Sequence, residues 1–348
     1  MDVLQKVFSP AELEGIRDEA LRQGFAEVRF IPAADPVEAW QGRYRQYLKR
    51  GYHAAMKYLE NVTSKFSPRK IYEPVQTIAV FTLPYLHAET AAQNDGFEKT
   101  DSPVSFEGFE EKPRYTMARY AQGRDYHRVV REKLETVNSL SNVQGRIVCD
   151  TTPLPERYYA ALSGHGFIGK NSMLIDPAGG SYFFLAFVLF DRSLPEGWPA
   201  PGERPASGEA SSSGILFKDG VYDLEGNIEK FCGSCDRCLK ACPGGALDGS
   251  GYLNSQRCYS FWSIENRLDH IGAKFRKMTS IFGCDICQEV CPYNAHPVTT
   301  TLDDFKVSEI SREIMRGNLQ AGSLEGAAFQ RTGATGLKRN RDFIDGLS

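Results

Sequence analysis

Eight of the nine cysteines fall between positions 232 and 291, and only Cys149 stands outside that window. The first run reads Cys232-x2-Cys235-x2-Cys238-x3-Cys242-Pro243. In this spacing three thiolates on a tight loop wrap one four-iron cube, and the fourth, about one helical turn on, points to a neighbouring cube. The second run, Cys284-x2-Cys287-x3-Cys291-Pro292, lacks a first cysteine, and Cys258, 26 residues upstream, is the obvious substitute. The spacing therefore assigns one [4Fe–4S] cluster to Cys232, Cys235, Cys238 and Cys291. A second takes Cys242, Cys258, Cys284 and Cys287. Paired zinc ribbons are the competing reading, because CxxC pairs also bind zinc. The two CxxxCP endings favour iron–sulfur.

Other residues carry weaker signals. Asp150 follows directly on a predicted strand, Ile147 to Cys149, and a carboxylate at a strand end is well placed in a crevice. Asp-Thr-Thr-Pro is equally good turn chemistry. Glu156 and Arg157 read as an ion pair of little energetic weight. Gly164 to Ser172 forms a glycine-rich loop, but Asn171 breaks the phosphate-loop spacing. Its glycines still permit close approach of backbone to a large ligand. His53, His127 and His165 read as satisfied or exposed histidines, and Cys149 as a small buried hydrophobe.

The elements that must position these groups are legible in outline. Ser9-Pro10-Ala11-Glu12 is a capping box with proline at the first helical position, and Gly24 closes that helix. Val28 to Ile31 reads as a strand, and Asp35-Pro36 as the start of a helix over Val37 to Leu48. Thr77 to Leu83 is a strand. Tyr126, Val129, Val130, Leu134 and Val137 mark one face of a helix. Tyr182 to Phe190 is a continuous apolar strand, expected to be central. This alternation predicts an α/β or α+β domain. Residues 195–214 are rich in Pro, Gly and Ser and read as a linker or surface insertion.

The chain has 348 residues, a net charge of −3 and 24% charged residues, an ordinary composition for about two domains. Nothing in the overall charge points to a nucleic-acid or membrane-surface protein. No apolar run approaches the roughly 20 residues a spanning helix needs. The first residues carry no signal pattern, so the cysteines are expected in the cytoplasm as reduced thiols.

Several strings together resemble the epoxyqueuosine reductase family. They are Arg119-Tyr120-Ala121-x-Gly123-x-Asp125-Tyr126-His127, Asp150-x-x-Pro153-x-x-Glu156-Arg157, Gly166-Phe167-Ile168-Gly169-Lys170-Asn171-Ser172 and Gly180-Ser181-Tyr182-Phe183-Phe184-Leu185. Arg257-Cys258 through Glu265 and Phe282-Gly283-Cys284 through Pro292 continue the match, which runs in order from about Tyr52 to about Arg341. The resemblance implies a nitroreductase-like domain carrying base-off cobalamin, followed by a ferredoxin-like double-cluster module. The implied boundaries are 1–194 for the cobalamin-binding catalytic domain, 195–230 for a linker, 231–300 for the cluster domain and 301–348 for a C-terminal helical segment packing on the catalytic domain. The implied reaction is reduction of epoxyqueuosine to queuosine at the tRNA wobble position.

By the same resemblance Asp150 takes the place of the general acid. Arg119, Tyr120, Asp150, Gly169, Lys170, Asn171, Ser172 and Ser260 take the places of cobalamin contacts. Epoxyqueuosine-containing tRNA, and an external donor such as flavodoxin or ferredoxin, are the expected partners of a monomer. The alternatives are a cobalamin and iron–sulfur reductase of a small molecule such as an organohalide, or an electron-transfer or corrinoid-activating protein. Arg114, Arg119, Arg124, Arg128 and Arg131, with the basic segment 338–341, are candidates for phosphate contacts.

The cysteine spacing predicts about eight irons and eight sulfides per chain after anaerobic reconstitution. Stoichiometric zinc without iron would overturn the assignment. Cys258→Ala is expected to damage the second cluster and spare the first, read by electron paramagnetic resonance of the reduced protein.

Overall fold

The computed structural model describes residues 6–91, 113–140, 143–199, 215–320 and 323–347. From position 200 to 214, the stretch expected as a linker lies outside the described residues.

Helix α1 (Pro10–Arg22) begins as its capping box dictates. The Ser9 hydroxyl accepts the Glu12 N–H at 3.2 Å, and the Glu12 carboxylate accepts the Ser9 N–H at 2.8 Å. Strand β1 (Glu27–Pro32) follows, then α2 (Glu38–Lys49), whose N-cap is Val37. The Asp35-Pro36 signal therefore sits just outside the helix. The Val37 N–H donates instead to the Tyr158 hydroxyl at 3.3 Å, so a tertiary contact sets the boundary.

Strands β2 (Thr77–Pro84), β3 (Arg146–Val148) and β4 (Phe183–Phe190) complete a four-stranded sheet in the order β1-β2-β4-β3. Every neighbouring pair is antiparallel, so of the two classes read from the sequence the sheet domain is α+β. The apolar run in β4 pairs on both sides and is central, as its composition predicts. Side chains alternate across the sheet. Phe81, Leu83, Ala186 and Val188 face α1 and α3 (Tyr126–Leu140), while Ile78, Val80, Phe187 and Leu189 face Tyr158 and Tyr159 of α4 (Glu156–Leu162). An antiparallel sheet covered on both faces needs the same unbroken hydrophobicity as a buried parallel one. The predicted α3 face is buried through Val129, Val130, Leu134 and Val137.

The cysteine region is loops and short helices, among them Arg237–Ala241 and Ile286–Glu289. It is joined to the sheet domain by a short parallel pairing of Ser280–Phe282 with Thr116–Met117. Helices α5 (Glu309–Arg316) and α6 (Gly333–Ile344) close over this junction, burying Ile314, Met315 and Leu337 against Tyr115, Ile281 and Phe282.

The basic segment 338–341 turns out to be structural. Arg339 donates to the carbonyls of Trp262, Asn266 and Leu268. Lys338 and Arg341 both pair with Asp342. Asn340 is fully buried and donates to the carbonyls of Ser263 and Ile281, each at 2.8 Å. Asn340→Leu keeps the volume, strands the Ile281 carbonyl and leaves that of Ser263 with the Thr332 hydroxyl alone, at 3.3 Å. An unsatisfied buried acceptor costs about 1–3 kcal/mol, and a loss of that size is expected in denaturant unfolding. An unchanged midpoint would refute this role.

Candidate active site and cysteine loops

Strand β3 ends at Val148, and the chain leaves the sheet edge through Cys149 and Asp150. Asp150 has φ +51°, a left-handed conformation that aspartate tolerates better than most residues. Its N–H donates to Glu156 Oε1 at 2.6 Å, which holds the turn from the first residue of α4. Its carboxylate accepts the Tyr126 hydroxyl at 2.6 Å and meets His127 Nε2 at 3.3 Å, both on Oδ2. The Tyr126 ring is clamped between His127 (centroids 3.9 Å) and Phe184 (4.3 Å). His127 Nδ1 is 2.8 Å from Asp125 Oδ1, so its imidazole bridges two carboxylates.

The electrostatics follow from this geometry. Burial works to lift the Asp150 pKa, but the hydrogen bonds from His127 and Tyr126 outweigh it and hold the carboxyl below its ordinary value. Burial also works against charge on His127, yet Asp125 and Asp150 together lift it to about 9. Glu156 is pushed the other way, to about 8, by burial and by the neighbouring Asp150. At neutral pH Asp150 is ionised, His127 is an imidazolium and Glu156 carries a proton.

The Asp150 side chain is 57% exposed, although protein surrounds it closely enough for desolvation to be the largest influence on it. Solvent access combined with enclosure describes the floor of a recess. Tyr44, Tyr47, Tyr58 and Lys65 share this character, each shifted toward its neutral form first by desolvation. Helix α2 contributes the Trp40–Tyr44 stack (5.4 Å) and has no fully buried residue. Tyr47 also feels Cys258, and Tyr58 feels Asp150, Glu265 and Arg331. Glu265 and Arg331 form a two-point ion pair at 2.5 and 3.0 Å at the edge of this recess.

Cys232, Cys235, Cys238 and Cys291 line one partly open cavity, together with Lys170 and Tyr293. Cys291 thus leaves its own sequence run to join the first three. Cys242, Cys258 and Cys284 lie close enough to Cys287 for their charge to raise its pKa, after burial, which raises it most. Burial likewise pushes Cys238 up to about 11. Backbone N–H groups aim at the sulfurs: Lys170 at Cys232, Ile286 at Cys284, and Ala246 at Cys242 at 3.2 Å. Among the described residues no three His, Cys, Asp or Glu side chains converge as ligands of a single ion do. The first four thiols ring a space instead of a point.

The glycine-rich loop faces these cysteines. Lys170 Nζ donates to the carbonyls of Gly233 (2.5 Å) and Cys235 (3.0 Å), and Asn171 Nδ2 to that of Cys287 (3.3 Å). A Cβ on Gly169 would meet Ile175 at 2.6 Å and Cys232 Sγ at 3.7 Å. Ser172, at φ +66°, is gripped through its carbonyl and its hydroxyl by Arg157. Ser260 hydrogen-bonds Cys258. The Arg119 N–H donates to Asp285 at 2.6 Å, and its guanidinium lies 3.6 Å from Glu289, both on the second cysteine run. Its Nε is buried with no partner among the described residues. Tyr120 packs between Tyr126 and Phe282, 5.9 and 6.2 Å from them. Of the sequence-predicted residues, Asp150 lies in the recess. Arg119, Lys170, Asn171 and Ser260 reach the cysteine loops.

Sequence reasoning passed over Tyr126, His127 and Glu156 as catalytic neighbours. Glu156 and Arg157, expected to pair, serve Asp150 and Ser172 instead.

Two family models match the chain: Epoxyqueuosine reductase QueG, DUF1730, over residues 65–151, and the 4Fe-4S double cluster binding domain over residues 231–294. The first ends one residue past Asp150. The chain is 30% identical to the epoxyqueuosine reductase of Leadbetterella byssophila over 327 residues, 90% of this chain and 92% of that protein. Among solved structures it is similar to epoxyqueuosine reductase from Bacillus subtilis with its catalytic aspartate loop swung out of the active site, at 25% identity and TM-score 0.71, covering 97% of this chain and 81% of the other. It also shares the fold of an epoxyqueuosine reductase crystallised with an epoxyqueuosine-modified tRNA-Tyr stem loop, at 24% identity and TM-score 0.72, with the same coverage. No helix among the described residues is long and apolar enough to cross a membrane.

His127 is raised from 6.5 to about 9 on folding, so the folded state binds its proton more tightly. Its contribution to stability is fully present below 6.5 and is lost as pH rises through about 9. The stability gap between wild type and His127→Gln is therefore expected to shrink across this window in denaturant titrations. A gap that stays constant would contradict the bridged imidazolium.

Proposed function

The chain belongs to the epoxyqueuosine reductase family, and from that premise we propose that it takes the epoxide oxygen off epoxyqueuosine at the tRNA wobble position, using cobalamin and two [4Fe–4S] clusters. It is an oxidoreductase with a 4Fe-4S double-cluster domain in its C-terminal half. The observation that carries the reading is Asp150. It is an accessible carboxylate on the floor of a recess, held on one oxygen by Tyr126 and His127, with Arg331 among the charged groups that act on it.

In this reading Cys232, Cys235, Cys238 and Cys291 hold one cluster, and Cys242, Cys258, Cys284 and Cys287 the other. The shared cavity of the first set, and the mutual influence of the second, support the division. The N–H groups aimed at sulfur suit thiolates that ligate a cluster. The recess suits a large planar group such as cobalamin. Tyr44 and Tyr47 of α2, Tyr58 and the Glu265–Arg331 pair are the groups near it. When bound, the clusters supply electrons singly and the cobalt supplies the centre that delivers them to the substrate.

The remaining work falls to this chain's own side chains. Asp150 gives a proton to the oxygen as its bond to carbon breaks, since an epoxide oxygen leaves poorly as an anion. Tyr126 and Glu156 fix the carboxyl and its backbone. Lys170 and Asn171 tie the cysteine loops to the sheet domain, which fixes the distance electrons must cross. Arg128 and Arg131 are exposed on α3, within two turns of the recess, and are our proposed phosphate contacts for tRNA. Arg114, Arg119 and Arg124 already pair with carboxylates inside the protein. A low-potential carrier such as flavodoxin or ferredoxin supplies the electrons.

The purified protein is expected to bind cobalamin with the spectrum of the base-off form. Asp150→Asn is expected to lower turnover of epoxyqueuosine-containing tRNA by roughly 10²- to 10⁴-fold at saturating reductant, with clusters and cobalamin retained. A variant that matches the wild-type rate removes Asp150 from the acid role. Failure to bind any corrinoid at micromolar concentration overturns the reductase reading.

A further inference from the structure

Taking the epoxide oxygen off as water consumes two electrons and two protons. Both carbon–oxygen bonds break, two O–H bonds form, and a carbon–carbon double bond remains. Asp150 holds at most one proton, so a single-acid site is one proton short. The geometry points to His127 as the positioning residue that reloads Asp150 with the second proton, with Asp125 holding its opposite nitrogen. This inference rests on the epoxide-reductase reading.

The contacts place the imidazole between the two carboxylates. Nε2 faces Asp150 Oδ2 at 3.3 Å, and Nδ1 faces Asp125 Oδ1 at 2.8 Å. The imidazole is stacked on Tyr126 at 3.9 Å and cannot turn away without breaking the stack. Its side chain is 27% exposed, so it can take up a proton from water. Among the other groups facing the carboxylates is Lys65, which feels Asp150 and Glu156 and whose pKa burial lowers. Burial and Asp150 push the Tyr126 phenol far above its ordinary range, so it donates a hydrogen bond and keeps its proton. Glu156, on α4, holds a proton but spends one oxygen on the Asp150 N–H. Arg331 and Tyr58 across the recess are both shifted up and donate no proton at neutral pH, and the Arg128 charge helps to hold Asp125 ionised.

The sequence of transfers balances. The imidazolium gives Nε2–H to Oδ2, leaving neutral imidazole and a carboxylic acid. The acid protonates the epoxide oxygen as the first carbon–oxygen bond breaks, and becomes a carboxylate again. His127 takes a proton from solvent and repeats the transfer. The oxygen leaves as water, and the two electrons come from the reductant. Holding His127 near 9 keeps it charged across the working range while the carboxylate beside it is the acceptor.

The test uses the full chain with both clusters reconstituted and cobalamin loaded. Substrate is epoxyqueuosine-containing tRNA, with a low-potential chemical reductant at saturation. Wild-type turnover is expected to fall as pH rises past about 9, where His127 loses its proton. His127→Gln is expected to lower the rate roughly 10²-fold at neutral pH. It should also abolish that alkaline limb and recover partly when imidazole is added. Glu156→Gln should leave the limb in place. Nitrogen-15 NMR of the histidines, assigned by the His127→Gln spectrum, reads the His127 pKa without turnover, and an ordinary value there overturns the relay. An unchanged pH profile in His127→Gln overturns it too, as does an equal loss at every pH without imidazole rescue. If wild type leaves the epoxide untouched, the substrate reading falls and the relay falls with it. Normal wild-type turnover with an unaltered variant sinks the relay alone.

Discussion

A thiolate buried in protein is costly unless positive charge or hydrogen bonds hold it, and the C-terminal half of this chain is organised around that fact. Burial raises Cys232, Cys238, Cys258, Cys284, Cys287 and Cys291 alike. Left to themselves these groups are neutral thiols packed in loops with little secondary structure. Iron supplies the missing charge, and N–H groups on the flanking loops supply the rest. The double-cluster domain consequently draws part of its order from what it binds, beside a small apolar cluster of Tyr259, Ile271, Phe275 and Met278. That explains why it leans so heavily on its neighbours. Lys170, Asn171 and Arg119 reach into it from the sheet domain, and Asn340 and Arg339 seal it from the C-terminal helix.

The sheet domain answers a different requirement, which is to present one carboxylate at a fixed place. The β2–β4 core is buried on both faces and offers a rigid edge. Strand β3 is only three residues long, so the chain is released from that edge at Asp150. A left-handed backbone turn would wander if unsupported. Here Glu156 holds its N–H and the Phe184–Tyr126–His127 stack holds its side chain, so two elements packed on opposite faces of the sheet meet at one residue.

What the sequence disclosed divides by range. Cysteine spacing is local chemistry, and the capping box at Ser9 and the apolar runs in β2 and β4 are local patterning. Each was readable because neighbours in the chain decide it. Strand direction was not readable, because the same apolar run serves a parallel or an antiparallel sheet once both faces are covered. The Asp125–His127–Asp150 bridge joins residues 23 positions apart through a fold-dependent meeting of α3 with the end of β3. Propensity and periodicity carry no trace of it. The segment 338–341 shows the reverse failure. Its charge looked like a phosphate site, but the carbonyls of Trp262, Asn266 and Leu268 needed donors, and a long guanidinium met that need.

The opposed shifts of Asp150 and Glu156 are the last piece. Two carboxyls that share one turn cannot both ionise cheaply, and the protein resolves this by giving hydrogen-bond donors to one and burial to the other. Asp150 keeps the charge and faces the recess, while Glu156 keeps the proton and faces the backbone. An ionised Asp150 is the wrong form for an acid, so proton transfer must follow a change at the recess. Covering the recess with a large ligand removes the water that stabilises the carboxylate and raises its pKa toward that of the imidazolium beside it.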